Sequence, residues 1–119
     1  MPARYNRTMT DTETIPTTYE DAARTLARWH AALDRPNFEV YAFPDPDRCT
    51  VRLIEVSDDF PCAERVWPVT FGASEEFPFR SSVALVTPAD WQRILSGGMA
   101  LPEGWNLSQR QRISPNGSG

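Results

Sequence analysis

The chain of 119 residues contains no lysine, because all twelve of its basic residues are arginine. Without a lysine there is no Schiff-base nucleophile, no phosphate-loop lysine and no lysine general base. The chain has one histidine, His30, and two cysteines, which is too small a ligand set for a tetrahedral zinc site. We therefore expect neither a cofactor nor a metal ion, and several enzyme classes are excluded.

An excess of positive charge and long apolar runs are also missing. Sixteen acidic residues against twelve arginines give a net charge of −4, which is the wrong sign for binding a phosphate backbone. No run of eighteen apolar residues occurs, and the first ten residues, MPARYNRTMT, contain no apolar segment of the kind found in secretion signals. The sequence predicts a cytoplasmic protein that binds neither nucleic acid nor a membrane.

The two cysteines, Cys49 and Cys62, are thirteen positions apart. In a reducing compartment they remain two separate thiols, whereas an oxidising compartment permits a disulfide between them. The lack of a secretion signal favours the separate thiols.

The residues that are present predict a folded chain. Hydrophobic residues make up 40% of the sequence and include four Trp, six Phe and three Tyr, which is enough apolar material to form a core. A chain of this length fits one domain. Both ends are polar and without periodicity, so we predict a disordered leader over 1–16, a single domain over 17–107 and a disordered tail over 108–119.

The segment TTYEDAARTLARWHAALDRP predicts a first helix over residues 18–34. Thr17 can cap its start, Glu20 three residues later completes a capping box, and Pro36 ends the helix. Helical spacing predicts an apolar face that packs on a sheet and consists of Leu26, Trp29 and Leu33.

A second, shorter helix is predicted by the tetrad TPAD. Thr87 is a good N-cap residue, Pro88 suits the first helical position, and the helix runs to about Leu95 before Gly97 stops it. The segment after it predicts an irregular strap that packs back on the domain through Leu101, Trp105 and Leu107.

Between the helices the apolar period changes to two, which predicts strands near residues 38–43, 49–56, 65–71 and 81–86. Pro68 places the third strand at a sheet edge or a bulge. The fourth strand, SSVALV, is apolar enough to be central.

The predicted fold class is therefore α+β, a single small domain with the order α-β-β-β-β-α. Short connections favour an antiparallel four-stranded sheet of meander type, and we place the two helices on one face of it. Two short helices leave the other face open. We expect this face to be covered by a protein partner, by a second copy of the chain, or by the strap around Trp105.

Candidate catalytic groups are few. His30 follows Trp29 on the first helix, where it is either a half-exposed surface histidine or a catalytic base, and no nucleophile motif accompanies it. Between Glu39 and Glu64 there are seven acids against two arginines. This acidic segment either attracts a basic partner or simply keeps the surface soluble.

The stretch EEFPFRSS is the candidate partner-binding segment. Phe77 and Phe79 flank a proline that lifts them out of regular strand pairing. If the rings turn inward they fill a corner of the core. If they turn outward they form an apolar surface of the kind found at interface hot spots. The proposed partner-binding residues are Trp67, Phe77, Phe79 and Arg80.

Two functions remain open at this point. The first is a non-catalytic protein-binding or adaptor module that binds a protein partner, or pairs with itself, through an aromatic and acidic surface. The second is a small acid/base enzyme that uses carboxylates and an arginine, for instance Glu55 or Glu64 with Arg52 or Arg65, in a pocket between sheet and helix.

Overall fold

The computed structural model describes residues 15–114. These residues form an α+β fold with two helices and a five-stranded mixed sheet. In chain order the elements are α1 (Tyr19–Ala31), β1 (Glu39–Phe43), β2 (Thr50–Val56), β3 (Val69–Phe71), β4 (Arg80–Val86), α2 (Pro88–Leu95), a 3-10 helix (Leu107–Gln109) and β5 (Gln111–Ile113).

The strand order in the sheet is β3-β4-β2-β1-β5, so the predicted four-stranded antiparallel meander is wrong. β2 pairs with β4, and the two strands are parallel. The loop 57–68 passes the end of β4, because Ser57 N–H donates to Val86 C=O at 3.1 Å and Ala63 N–H donates to the Asp90 carboxylate at 2.8 Å. This loop carries the chain to the outer edge, where β3 forms, and leaves β4 an inner strand.

The two helices pack on opposite faces of the sheet, which corrects the prediction that both lie on one face. Successive side chains of a strand point to opposite faces. On β2, Val51 and Leu53 belong to the apolar cluster that includes α1, whereas Ile54 and Val56 belong to the cluster that includes α2. We call these sides the α1 face and the α2 face. Because β2 is apolar on both sides, each face needs its own cover.

The helix α1 begins one residue later than predicted. Thr18, rather than Thr17, is the N-cap, and its side-chain oxygen accepts from Asp21 N–H at 3.1 Å. The helix ends at Ala31, so Leu33 lies beyond it and is exposed, and Trp29 is 38% exposed. The buried side of the helix is built mainly from small residues instead, namely Ala22, Ala23, Thr25, Leu26 and Ala27.

The helix α2 begins as its sequence predicts. Thr87 is the N-cap, and its side-chain oxygen accepts from Asp90 N–H at 3.1 Å. Pro88 is the first helical residue, and Gly97 follows the helix with a φ of 89°. The helix buries Trp91 against the sheet, where its indole stacks on the Tyr41 ring with centroids 4.4 Å apart.

The segment after α2 covers the remainder of the α2 face. The Trp105 ring lies against the Phe43 ring with centroids 5.3 Å apart, and Arg52 donates to Gly104 C=O at 2.9 Å. The disordered tail predicted from residue 108 is corrected in part, because β5 pairs antiparallel with β1. The leader predicted over 1–16 falls mostly on residues outside the described range, as do residues 115–119 of the tail.

Candidate interaction surface

Four large apolar side chains are exposed along the outer edge of the sheet, and we call them the β3 surface: Trp67, Val69, Phe71 and Leu85. Val69 pairs with Val83 on β4, and Phe71 pairs with Ser81. Leu85 lies two positions after Val83, so it shares the α1 face with Val69 and Phe71. Trp67, which precedes β3 and is 68% exposed, extends this row of apolar side chains.

The other side of β3 is polar. Between Val69 and Phe71, Thr70 points to the opposite face, and its hydroxyl lies 3.1 Å from the hydroxyl of Ser82. An apolar row on one face and a hydroxyl pair on the other give β3 the alternation of a half-buried strand. Its apolar row nevertheless has no cover within the described residues, since α1 packs over β2 further in.

The backbone edge of β3 is open as well. Within residues 15–114, β3 pairs with β4 on one side and has no strand on the other. An edge strand presents N–H and C=O groups that a further strand can pair with. Pro68 precedes this strand, as expected for an edge, and does not supply an N–H.

Trp67 is held in its exposed position by a cation. The guanidinium of Arg65 lies over the indole ring, 4.7 Å from its centroid. Such contacts restrict an aromatic side chain without burying it. A large ring that is already restricted loses little conformational entropy when a partner covers it.

The structure separates the four predicted partner-binding residues. Phe77 is 7% exposed, and its ring lies between those of Trp29 and Phe79, with centroids 5.6 and 6.1 Å away. Phe79 is half-buried against the same cluster and meets the Tyr19 ring edge-on. These two rings therefore fill the space under α1, which is the inward alternative.

The two other predicted residues are exposed. Arg80 begins β4, and Trp67 lies at the outer edge of the sheet. No ring pair joins Trp67 to Phe77 or Phe79 in the described part of the chain. Of the predicted set, Trp67 alone lies on the β3 surface.

Several acids of the segment from Glu39 to Glu64 have partners inside the protein. Asp45 is buried, and its carboxylate accepts from Cys49 N–H at 3.0 Å and Thr50 N–H at 2.9 Å and pairs with Arg52 at 3.4 Å. Burial alone raises the pKa of Asp45, but the backbone donors and the Arg52 charge outweigh it, so its pKa lies below the ordinary value. This carboxylate stabilises the turn between β1 and β2.

Glu55 and His30 form a second internal pair. Glu55 is 3% exposed on the α1 face of β2, and its carboxylate contacts Nδ1 of His30 on α1. This contact gives His30 a structural role, because a buried carboxylate requires a partner. Arg52 and Glu55, one of the pairs considered for an acid/base enzyme, point to opposite faces of β2. Arg65, the other arginine considered, lies against Trp67.

Three residues of the β3 surface were missed by the sequence reasoning: Val69, Phe71 and Leu85. Pro68 correctly marked the edge, and the alternating VTF gave the signal for one apolar side. Apolar alternation alone does not reveal whether a helix covers such a row, so the row was not recognised as exposed.

Other kinds of site find little support. Cys49 and Cys62 are both free thiols at the surface. Among residues 15–114 there is no group of three His, Cys, Asp or Glu side chains placed to hold a metal ion. Over the same range, neither helix has the length and apolarity needed to span a lipid bilayer.

Comparison of the chain with models of known protein families, with curated protein sequences and with solved structures finds no match.

Proposed function

We propose that this protein is a non-catalytic protein-binding module and that the β3 surface is its contact site. The observation that carries the proposal is the exposure of Trp67, Val69, Phe71 and Leu85 together at one edge of the sheet. Aromatic and aliphatic side chains grouped in this way are typical of interfaces, since a group of exposed apolar side chains gains free energy when it is covered.

The open edge suggests how the partner binds. A strand added alongside β3 pairs with its free N–H and C=O groups, while the apolar row supplies a side-chain contact on the α1 face. This is β-strand addition, in which main-chain hydrogen bonds give affinity and the side-chain pockets give specificity. The acidic segment predicted to take part is less suited, because Asp45 and Glu55 are buried with internal partners.

A second copy of the chain is the partner that this edge fits best. Antiparallel pairing of two β3 strands about Thr70 places Val69 of one copy opposite the partner's Phe71. In the sequence Arg65 lies five residues before Thr70 and Glu75 five residues after it, so this pairing brings unlike charges to each end of the interface. A three-residue strand gives a small interface, and we expect a reversible dimer with a Kd in the micromolar range.

The test is to measure molar mass by light scattering across a concentration series. We expect the wild type to shift from monomer to dimer, and Phe71→Asp to remain monomeric with an unchanged far-UV spectrum. Ser82→Asp is the matched control, because Ser82 lies on the α2 face of β4, next to Thr70.

Two outcomes overturn the proposal in different ways. A wild type that stays monomeric up to about 100 μM, well above a micromolar Kd, contradicts self-pairing. A dimer that Phe71→Asp leaves intact contradicts the β3 surface as the contact site.

A further inference from the structure

A groove of about 750 Å³ lies on the α1 face, at the edge of the sheet opposite to β3. One wall is the first part of α1, and the other is formed by β1 and β5. The volume lies within the range of natural small-molecule sites, about 300 to 1,000 Å³. The groove is therefore large enough to hold a ligand rather than a few water molecules.

The groove exists because small residues face each other where the helix no longer covers the sheet. The pairing of Ala42 with Gln111 and of Val40 with Ile113 directs the side chains of Gln111 and Ile113 to the α1 face. The helix α1 packs over β2 and meets this outer region through Ala23. Because neither Ala23 nor Ala42 has a side chain beyond Cβ, the space between them stays open.

The floor of the groove is apolar, and the Tyr19 ring that forms part of it is held in place by hydrogen bonds. Ala42, Ile113 and the Tyr19 ring supply the apolar surface. The Tyr19 hydroxyl donates to Thr50 C=O at 2.8 Å and accepts from Asp45 N–H at 3.1 Å, so the ring is fixed from both sides. A ligand with an apolar body meets a surface that is already formed, which reduces the entropy lost on binding.

The rim of the groove is basic in a protein whose net charge is −4. The side chains of Arg24 and Arg48 line it together with one acid, Glu20, so these groups carry a charge of +1 (two arginines minus one glutamate). Arg112 pairs with Tyr41 and directs its side chain to the α2 face. Arg48 also lies over the Tyr19 ring, 5.2 Å from its centroid. The two guanidinium groups come from different parts of the chain, α1 and the turn between β1 and β2.

Each of these arginines has an acidic neighbour, but the pairs are weak. Arg24 lies 3.5 Å from Asp21 and Arg48 contacts Glu20, with every one of these side chains more than a third exposed. Exposed ion pairs of this kind contribute little to stability. A guanidinium can therefore leave its neighbour for a ligand carboxylate, with which it forms bidentate hydrogen bonds.

We propose that this groove binds a small organic carboxylate with an apolar tail. The tail lies on Ala42 and Ile113, and the carboxylate is held at the rim by Arg24 and Arg48. The proposal does not depend on the role of the β3 surface, because β3 and β5 form opposite edges of the sheet.

The test uses octanoate as the probe and two-dimensional amide NMR of the full chain as the readout. We expect saturable shifts of the Ala23, Ala42 and Ile113 amides with octanoate. The neutral counterpart 1-octanol, at the same concentrations, is expected to bind at least about tenfold more weakly because it offers no charge-assisted hydrogen bond.

Variants locate the site. The double variant Arg24→Gln with Arg48→Gln is expected to weaken octanoate binding by about tenfold or more. Gln111→Phe places an aromatic side chain over the floor and is expected to abolish binding, with the rest of the amide spectrum unchanged. Arg93→Gln is the matched control, because Arg93 pairs with Asp90 three residues before it on α2, as Arg24 does with Asp21 on α1.

The proposal is overturned by any of three results. The first is the absence of shifts at these amides up to about 5 mM octanoate, above the Kd of even a weak ligand. The second is equal binding of octanoate and 1-octanol. The third is octanoate binding that Gln111→Phe and the double arginine variant leave unchanged.

Discussion

The two faces of the sheet are covered to different extents. On the α2 face, α2 and the segment that contains Trp105 cover the strands with stacked aromatic rings. On the α1 face a single helix packs over β2, and both edges of the sheet extend beyond it, as the β3 surface on one side and the arginine-lined groove on the other. The closed face supplies stability, and the incompletely covered face supplies the surfaces on which a partner or ligand can act.

Substitution of two tryptophans tests this difference most strongly. Trp91 is buried on the α2 face, whereas Trp29 is 38% exposed on α1. We expect Trp91→Ala to lower the free energy of unfolding by about 3 to 5 kcal/mol through lost burial and a residual cavity. Chemical denaturation measures the loss.

Trp29→Ala is the control on the other face. In the wild type the Trp29 indole contacts the Phe77 ring but is only partly buried. We therefore expect Trp29→Ala to lower the free energy of unfolding by about 1 to 2 kcal/mol, less than the loss of a fully buried tryptophan. Equal losses for the two variants would contradict the contrast between the faces.

The Asp90 carboxylate stabilises the closed face through a polar contact. It accepts from Ala63 N–H at 2.8 Å and so holds the loop before β3 against the start of α2. We expect Asp90→Asn to cost about 1.5 to 3 kcal/mol, the range for hydrogen bonds to charged groups. Denaturation at neutral pH measures this loss.

The same variant predicts a pH dependence. Burial alone raises the pKa of Asp90, but the Ala63 N–H, the hydrogen bonds with Thr87 and the Arg93 charge outweigh it and place its pKa below the ordinary value. The ionised carboxylate therefore stabilises the fold fully above about pH 4, and its contribution is lost as the pH falls through the lowered pKa. The stability difference between wild type and Asp90→Asn should narrow on acidification, and a constant difference would show that Asp90 acts without its charge.

The N-caps of the two helices should contribute equally to stability, although the helices lie on different faces of the sheet. Thr87 and Thr18 each accept from an aspartate N–H at 3.1 Å. We expect Thr87→Ala and Thr18→Ala each to cost about 1 kcal/mol, and Thr87→Ser to be nearly silent because the hydroxyl remains. If Thr87→Ser costs as much as Thr87→Ala, the methyl group rather than the cap stabilises α2.

The smallest effect on stability is expected on the exposed row. Val69→Ser should change the free energy of unfolding by about 0.5 kcal/mol or less, as exposed substitutions usually do. Val83→Ser, at the buried position paired with Val69 on β4, is the internal comparison and should cost clearly more. A large loss from Val69→Ser would mean that this row is part of the core.

The helices could be predicted well from local sequence. Thr87, Pro88 and Gly97 act through contacts within a few residues, so the tetrad and the glycine were enough to bound α2. The start of α1 was wrong by one residue, because Thr17 and Thr18 are both able to cap and the sequence does not choose between them.

The sheet order depends on contacts that no local pattern encodes. The alternation in β2 and the apolar run in β4 predicted both strands, but their parallel pairing follows from the loop 57–68 passing the end of β4. The three residues of β5 are polar enough to resemble a tail, and the antiparallel pairing with β1 defines them as a strand.

The direction of the two phenylalanine rings could not be predicted for a related reason. A proline between Phe77 and Phe79 indicates irregular backbone, but the direction of the rings depends on the space beneath α1. The small residues of α1, Ala23 and Ala27 among them, provide that space. Trp67 lies next to Pro68 at the edge of the sheet and is exposed.

The position of the α2-face cover in the chain has a consequence during synthesis. The strands β1 to β4 all leave the ribosome before α2 and Trp105 do, so Phe43 and Ile54 have no cover until the segment up to residue 107 has emerged. At about 5 to 20 residues per second, this interval lasts a few seconds. A nascent chain thus presents one apolar sheet face to chaperones for longer than the other, whose helix is made first.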